Sequence, residues 1–214
     1  MAVRAKVCGV TRPGDAAAAA AGGASFLGVV FAEGPRVVTP AQAGEVVAAA
    51  HGVPVLGVFG SQSVEDILHL AAQAGLSGAQ LHGSYRREAA ARLRAAGLIV
   101  WKVVRIAVPE DLDTLAEATR DADAVLVEPL VPHAAGGSGV SLDLAVAREA
   151  RSRLAGQVMV LAGGLTPDTV EKAAAIVRPE VVDVSSGVER RPGIKDPHKI
   201  ARFLEAVLGF SAIP

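Results

Sequence analysis

Along the chain, short β-branched runs alternate with alanine-rich stretches of helical periodicity, and the alternation repeats eight times without a break. The strand candidates are residues 3–8, 26–31, 53–59, 79–82, 99–104, 124–128, 158–162 and 181–185. The helical stretches that follow them are residues 13–21, 40–50, 64–74, 86–96, 109–119, 143–154, 167–177 and 197–208. Strands that alternate with helices pair in parallel, because each helix carries the chain back to the end where the next strand starts. Eight such units in 214 residues predict an α/β protein: one closed (β/α)8 barrel, a single domain over residues 1–214. The alternative is an open doubly wound sheet, but its G-x-G-x-x-G turn is missing after the first strand. Several helices open on a capping side chain before proline, as in Thr39-Pro40, Thr166-Pro167 and Asp196-Pro197.

Composition narrows the partners. Hydrophobic residues at 51% and charged residues at 20% belong to a folded domain. A formal net charge of -1 gives no electrostatic reason to bind nucleic acid or an anionic membrane, and 3% aromatics leave few stacking platforms for bases. A lone cysteine excludes an intrachain disulfide and a cysteine-rich zinc site, and it suits a reducing compartment. Residues 1–7 are too short for a secretory leader, and no apolar run is long enough to span a bilayer, so the expected location is the cytoplasm. His51, His69, His133 and His198 show no metal-ligand spacing, and no phosphate-loop or dinucleotide motif appears. No metal or cofactor is expected.

A closed barrel brings every strand's C-terminal end to one face, where the chemistry of this fold sits. The residues there are Cys8, Phe31, Phe59, His82, Arg105, Glu128, Gly163, Gly164, Ser185 and Ser186. Side chains alternate along a strand, so Lys6 and Cys8 face the interior while Val3, Ala5 and Val7 face the helices. A buried structural thiol and a reactive one both fit Cys8 at this point; the neighbouring Lys6 ammonium is expected to lower its pKa. Glu128 ends the sixth strand after four apolar residues. It reads equally as half of an interior ion pair or as a general acid raised by partial burial.

Three small-residue loops follow the last three strands: Gly137, Ser138 and Gly139; Gly163 and Gly164; Ser185, Ser186 and Gly187. Glycines there present backbone N–H groups, and adjoining loops of this kind predict a phosphate site. Asp183 shares a strand face with Ser185, and barrel closure places it near Lys6 or Arg4 as a structural ion pair. Arg36 is either a solvated loop arginine or the fork that holds a carboxylate. His82 reads as a satisfied strand-end histidine.

The segments KVCGVTRPGDAAAAAAGGASFLGVVF, PRVVTPAQA, LGVFGSQS, AQLHG, LAGGLTPDTV and DVSSGVERRPGIKDPHKI resemble the phosphoribosylanthranilate isomerase family of tryptophan biosynthesis, in the family's order and over essentially the whole chain. The resemblance implies a TIM barrel of the ribulose-phosphate-binding type. It also implies a cofactor-free Amadori rearrangement of N-(5-phosphoribosyl)anthranilate to 1-(2-carboxyphenylamino)-1-deoxyribulose 5-phosphate. Residue by residue, it makes Cys8 the general base, Arg36 the ligand of the anthranilate carboxylate and the three loops the phosphate site. The family's general acid is an aspartate at the end of the sixth strand, where this chain has Glu128. A sugar-phosphate binder without activity and another phospho-sugar isomerase or epimerase are the competing readings. The expected partner is the small phosphoribosyl substrate, with the chain a monomer or a homodimer.

Overall fold

The computed structural model describes residues 2–83, 85, 87–115, 121–131 and 140–211. Its strands are β1 (Arg4–Val7), β2 (Phe26–Val30), β3 (Val55–Phe59), β4 (Gly78–Leu81), β5 (Ile99–Ile106), β6 (Ala124–Pro129), β7 (Met159–Leu161) and β8 (Val181–Val184). They pair in chain order into a closed parallel barrel. The seam between β1 and β8 sets Lys6 opposite Asp183. Around the barrel lie α1 (Pro13–Ala21), α2 (Pro40–Ala49), α3 (Val64–Ala74), α4 (Arg87–Ala95), α5 (Leu144–Arg153), α6 (Val170–Val177) and α7 (Pro197–Ser211). Where a fifth helix over residues 109–119 is expected, the described part is a 3-10 helix, Pro109–Thr114; residues 116–120 lie outside the described residues.

Helix starts follow the expected chemistry with one exception. Thr39 and Gln42 form a reciprocal capping box on α2, and Ser63 and Asp66 form one on α3. The Asp196 carboxylate accepts from the His198 and Lys199 backbone N–H groups ahead of α7. α6 instead begins at Val170, not Pro167. The Thr166 N–H donates to Thr169 Oγ1 (3.0 Å), which holds residues 166–169 as a turn before the helix.

Alternation divides the apolar side chains into two layers. Val7, Leu27, Val29, Phe59 and Leu81 point outward into the core shared with the helices. Phe26, Leu56, Trp101, Leu126, Val160 and Val181 fill the barrel interior, with Phe26 edge-on to Trp101 at 4.9 Å between ring centroids. Toward the C-terminal ends the inward positions turn polar: Trp101 and Val103 give way to Arg105, Leu126 to Glu128 and Val181 to Asp183.

One element was not anticipated from the sequence. β9 (Glu189–Arg191) and β10 (Ile194–Lys195) form an antiparallel hairpin around Pro192-Gly193, with Gly193 at φ +78°. Proline then glycine at positive φ is what a tight turn of this kind requires. The hairpin is tied back to the start of α1: Thr11 Oγ1 donates to the Gly193 carbonyl, and the Lys195 N–H donates to Asp15. Among the described residues no helix is long and apolar enough to cross a membrane.

Candidate active site

Lys6 and Asp183 form the floor of the site, with Lys6 Nζ 2.8 Å from Asp183 Oδ1 and both side chains buried. Lys6 also lies over the Trp101 ring, 5.7 Å from its centroid. Burial pulls the lysine down, but Asp183 and Cys8 outweigh it and carry Lys6 up to about 12. It is therefore a fixed cation, consistent with the interior pairing expected from barrel closure.

Cys8 shares the inward face with Lys6. Gly28 on β2 makes the room: a Cβ there would lie 2.8 Å from Cys8 Sγ and 3.1 Å from Lys6 Nζ. The expected lowering of the thiol is corrected by its surroundings. Burial is the largest influence on Cys8 and pushes it up; Lys6 opposes this, while Asp183 adds to it. The sequence displays the adjacent ammonium but neither the depth of burial nor the carboxylate that offsets it.

Glu128 faces the same interior and is buried. Its Oε1 accepts from Arg105 Nε at 2.9 Å, across the register that pairs these residues on β5 and β6. Burial raises the carboxyl and Arg105 opposes this, with a net upward direction. Glu128 is thus an interior ion-pair member, and its carboxyl is held above its ordinary value.

His82 completes this corner. Arg105 Nη2 lies 3.1 Å from His82 Nδ1, and Glu128 Oε1 lies 3.7 Å from the same nitrogen. Burial, Arg105 and Lys6 together push His82 down to about 3, so the ring is neutral. Arginine only donates, so Nδ1 accepts and the ring proton sits on Nε2. The structure sets Gln80 Nε2 3.0 Å from that nitrogen, donor to donor, and leaves Gln80 Oε1 buried without a partner; turning the amide over gives the ring proton its acceptor.

Arg36 is not a solvated loop residue. It packs against Gly9, and its Nε and Nη2 donate to the two Glu189 oxygens, each at 2.8 Å. Glu189 also accepts from Lys195 Nζ at 2.9 Å, and Lys195 donates to the Ser185 carbonyl at 3.0 Å. Burial alone would raise Glu189, but Arg36 and Lys195 hold it below the usual glutamate value. Glu189 and Lys195 are neighbours of Arg36 that the sequence reading did not single out; their segment entered only within the resembling stretch DVSSGVERRPGIKDPHKI. The Pro-Gly turn was the one local sign that the run folds back on itself.

The candidate phosphate loops are partly described. Gly163 and Gly164 follow β7, and Ser185, Ser186 and Gly187 follow β8. These two loops touch, since a Cβ at Gly187 would collide with the Leu165 carbonyl oxygen. Gly137, Ser138 and Gly139 lie outside the described residues. In the site, Lys6, Arg36, Arg105 and Lys195 face Asp183, Glu128 and Glu189. Cations outnumber carboxylates, which suits an anionic ligand. Among the described residues no three His, Cys, Asp or Glu side chains group as metal ligands.

A family model described as N-(5'phosphoribosyl)anthranilate (PRA) isomerase matches residues 5–206. The chain belongs to this family. It is an isomerase of tryptophan biosynthesis. The N-(5'-phosphoribosyl)anthranilate isomerase of Symbiobacterium thermophilum is 41% identical over 224 residues, covering 95% of this chain and 97% of its own. The crystal structure of the Thermotoga maritima enzyme superposes with a TM-score of 0.87 at 32% identity, covering 97% of this chain and 99% of that one. A further family structure, at TM-score 0.84 and 31% identity over 97% of this chain and 99% of its own, is a complex with reduced 1-(o-carboxyphenylamino)-1-deoxyribulose 5-phosphate.

Proposed function

We propose that the chain rearranges N-(5'-phosphoribosyl)anthranilate into 1-(2-carboxyphenylamino)-1-deoxyribulose 5-phosphate, with Glu128 as general acid and Cys8 as general base. The observation that carries this reading is that a thiol and a carboxyl from β1 and β6 face one interior, within electrostatic reach of the same Lys6–Asp183 pair. Protonated Glu128 gives its proton to the ring oxygen as the C1–O bond breaks, and the anthranilate nitrogen lone pair forms the C1=N bond. The Cys8 thiolate then takes the C2 proton. That electron pair forms C1=C2 while the C1=N pair returns to nitrogen. Ketonisation of the enol moves a proton to C1 and completes the isomerisation without a redox partner.

Two of the five Arg36 N–H donors go to Glu189. The remaining donors are oriented by that pairing and are available to the anthranilate carboxylate. The phosphate belongs on the glycine loops after β7 and β8, together with Gly137, Ser138 and Gly139. Every residue in this scheme comes from one chain, so it holds for a monomer and a homodimer alike.

The test follows anthranilate fluorescence on mixing freshly prepared substrate with purified protein. An enzyme-dependent loss of signal is expected. Binding without any loss would mean a silent sugar-phosphate barrel and would overturn the assignment.

A further inference from the structure

Glu128 carries one methylene more than the aspartate that the family resemblance leads one to expect, so its carboxyl reaches roughly 1.5 Å further from the same backbone. A displacement of about 1 Å in a reacting group is enough to cost on the order of a hundredfold in rate. The neighbouring strand meets this reach with a specific partner. β5 runs on to Ile106, which pairs with Pro129, and so brings Arg105 level with Glu128. Arg105 Nε donates to Glu128 Oε1 at 2.9 Å, while its Nη2 donates to His82 Nδ1 at 3.1 Å. The ring of His82 is fixed in turn by Gln80. The guanidinium is thus held at two points and grips the carboxyl by one oxygen.

We infer that Arg105 is a positioning residue of this site: it draws the longer Glu128 side chain back against β5 and leaves Oε2 as the oxygen that carries and releases the proton. The inference rests on the acid role proposed for Glu128. An arginine nitrogen cannot accept, so the oxygen it touches is the one without the proton. Pairing also removes rotamer freedom that a glutamate would otherwise spread over several positions. After proton release, the carboxylate forms beside a cation already in place. Among the described residues, the other charged or titratable groups that act on Glu128 are His82 just after β4, Asp183 from β8 and Lys6 from β1. β7, the strand on its other side, presents only Met159, Val160 and Leu161.

The experiment measures kcat and KM for Arg105→Gln in the wild-type and Glu128→Asp backgrounds, with thermal melting as the check on folding. Glu128→Asp shortens the side chain by the methylene that Arg105 takes up. We expect Arg105→Gln to lower kcat by at least about tenfold with KM within about threefold. In the Glu128→Asp background the same change should alter kcat by less than about twofold. A kcat within twofold of wild type, a rise in KM at unchanged kcat, or an equal loss in both backgrounds would overturn the inference. Should Arg105→Gln fail to fold, Arg105→Lys, which keeps the charge but reaches only one of the two partners, carries the same comparison. A wild-type protein that consumes no substrate removes the proposed function and this inference with it. An active wild type indifferent to Arg105 removes the inference alone.

Discussion

Lys6 Nζ meets Asp183 Oδ1 at 2.8 Å across the seam where β1 and β8 close the barrel. The contact joins the two ends of the sheet through a fully buried ammonium and a largely buried carboxylate. Breaking a buried pair by removing one partner leaves the other uncompensated, at a cost of about 3–5 kcal/mol. Lys6→Met should therefore lower the unfolding free energy by that order in urea titrations. Replacing both partners with apolar residues of similar size should cost less than the single change. The pairing raises the lysine, so its contribution is complete below the ordinary lysine pKa and is lost as pH rises toward 12. Unfolding free energies measured across that alkaline interval should fall more steeply for wild type than for Lys6→Met.

Gly28 decides whether Lys6 and Cys8 can share one face. A methyl at this position would intrude on Cys8 Sγ and on the Lys6 ammonium together. Gly28→Ala is expected to destabilise the fold by about 1–3 kcal/mol. It should also reduce kcat more than it changes KM, because it displaces the base without touching the phosphate loops. Steady-state kinetics beside a melting curve separates the two effects.

Burial shifts both proton-transfer groups in the same direction. Cys8 is held above its ordinary thiol value and Glu128 above its ordinary carboxyl value. A raised thiol makes the thiolate scarcer at neutral pH, while a raised carboxyl keeps more of the acid form. The pH profile of kcat/KM should be bell-shaped, with one limb from the thiol and one from the carboxyl. Iodoacetamide alkylation of Cys8 should be slow at neutral pH and accelerate only beyond the usual thiol range. Fast alkylation at pH 7 would show that Lys6 governs the thiol after all.

The repeating pattern made the barrel legible, since eight strand-helix units in this length fit few other architectures. Alternation then placed Lys6, Cys8, Glu128 and Asp183 inside, and barrel closure left Lys6 or Arg4 as the partner of Asp183, of which the structure shows Lys6. What the sequence conceals is register and depth. Arg105 closes a β-branched run and looks like an ordinary strand end until its alignment with Glu128 is known. Glu189 and Lys195 lie in a charge run whose hairpin folds them under Arg36. The direction of the Cys8 shift depends on how much water is excluded, which is a property of the packed interior and not of neighbours along the chain.

Glu189 holds two cations, the half-buried Arg36 and the buried Lys195. Glu189→Gln should cost about 3–5 kcal/mol at neutral pH and should raise KM as the Arg36 fork loses its anchor. Because the native carboxyl titrates below the ordinary glutamate value, its contribution is present above that value and fades as pH falls through the native pKa. The stability gap between wild type and Glu189→Gln, read by chemical denaturation, should therefore narrow on acidification. A gap that widens instead would mean that the pairing does not stabilise the carboxylate.

In the proposed rearrangement the Cys8 thiol and the Glu128 carboxyl each move one proton. Turnover of N-(5'-phosphoribosyl)anthranilate by Cys8→Ala and Glu128→Gln, measured beside wild type, tests this most directly. Each substitution should lower kcat by roughly a hundredfold or more, the scale of a lost acid or base, while substrate still binds and the protein still melts cooperatively. If either variant turned over within a few-fold of wild type, that residue would not be the proton carrier and the proposed mechanism would be wrong.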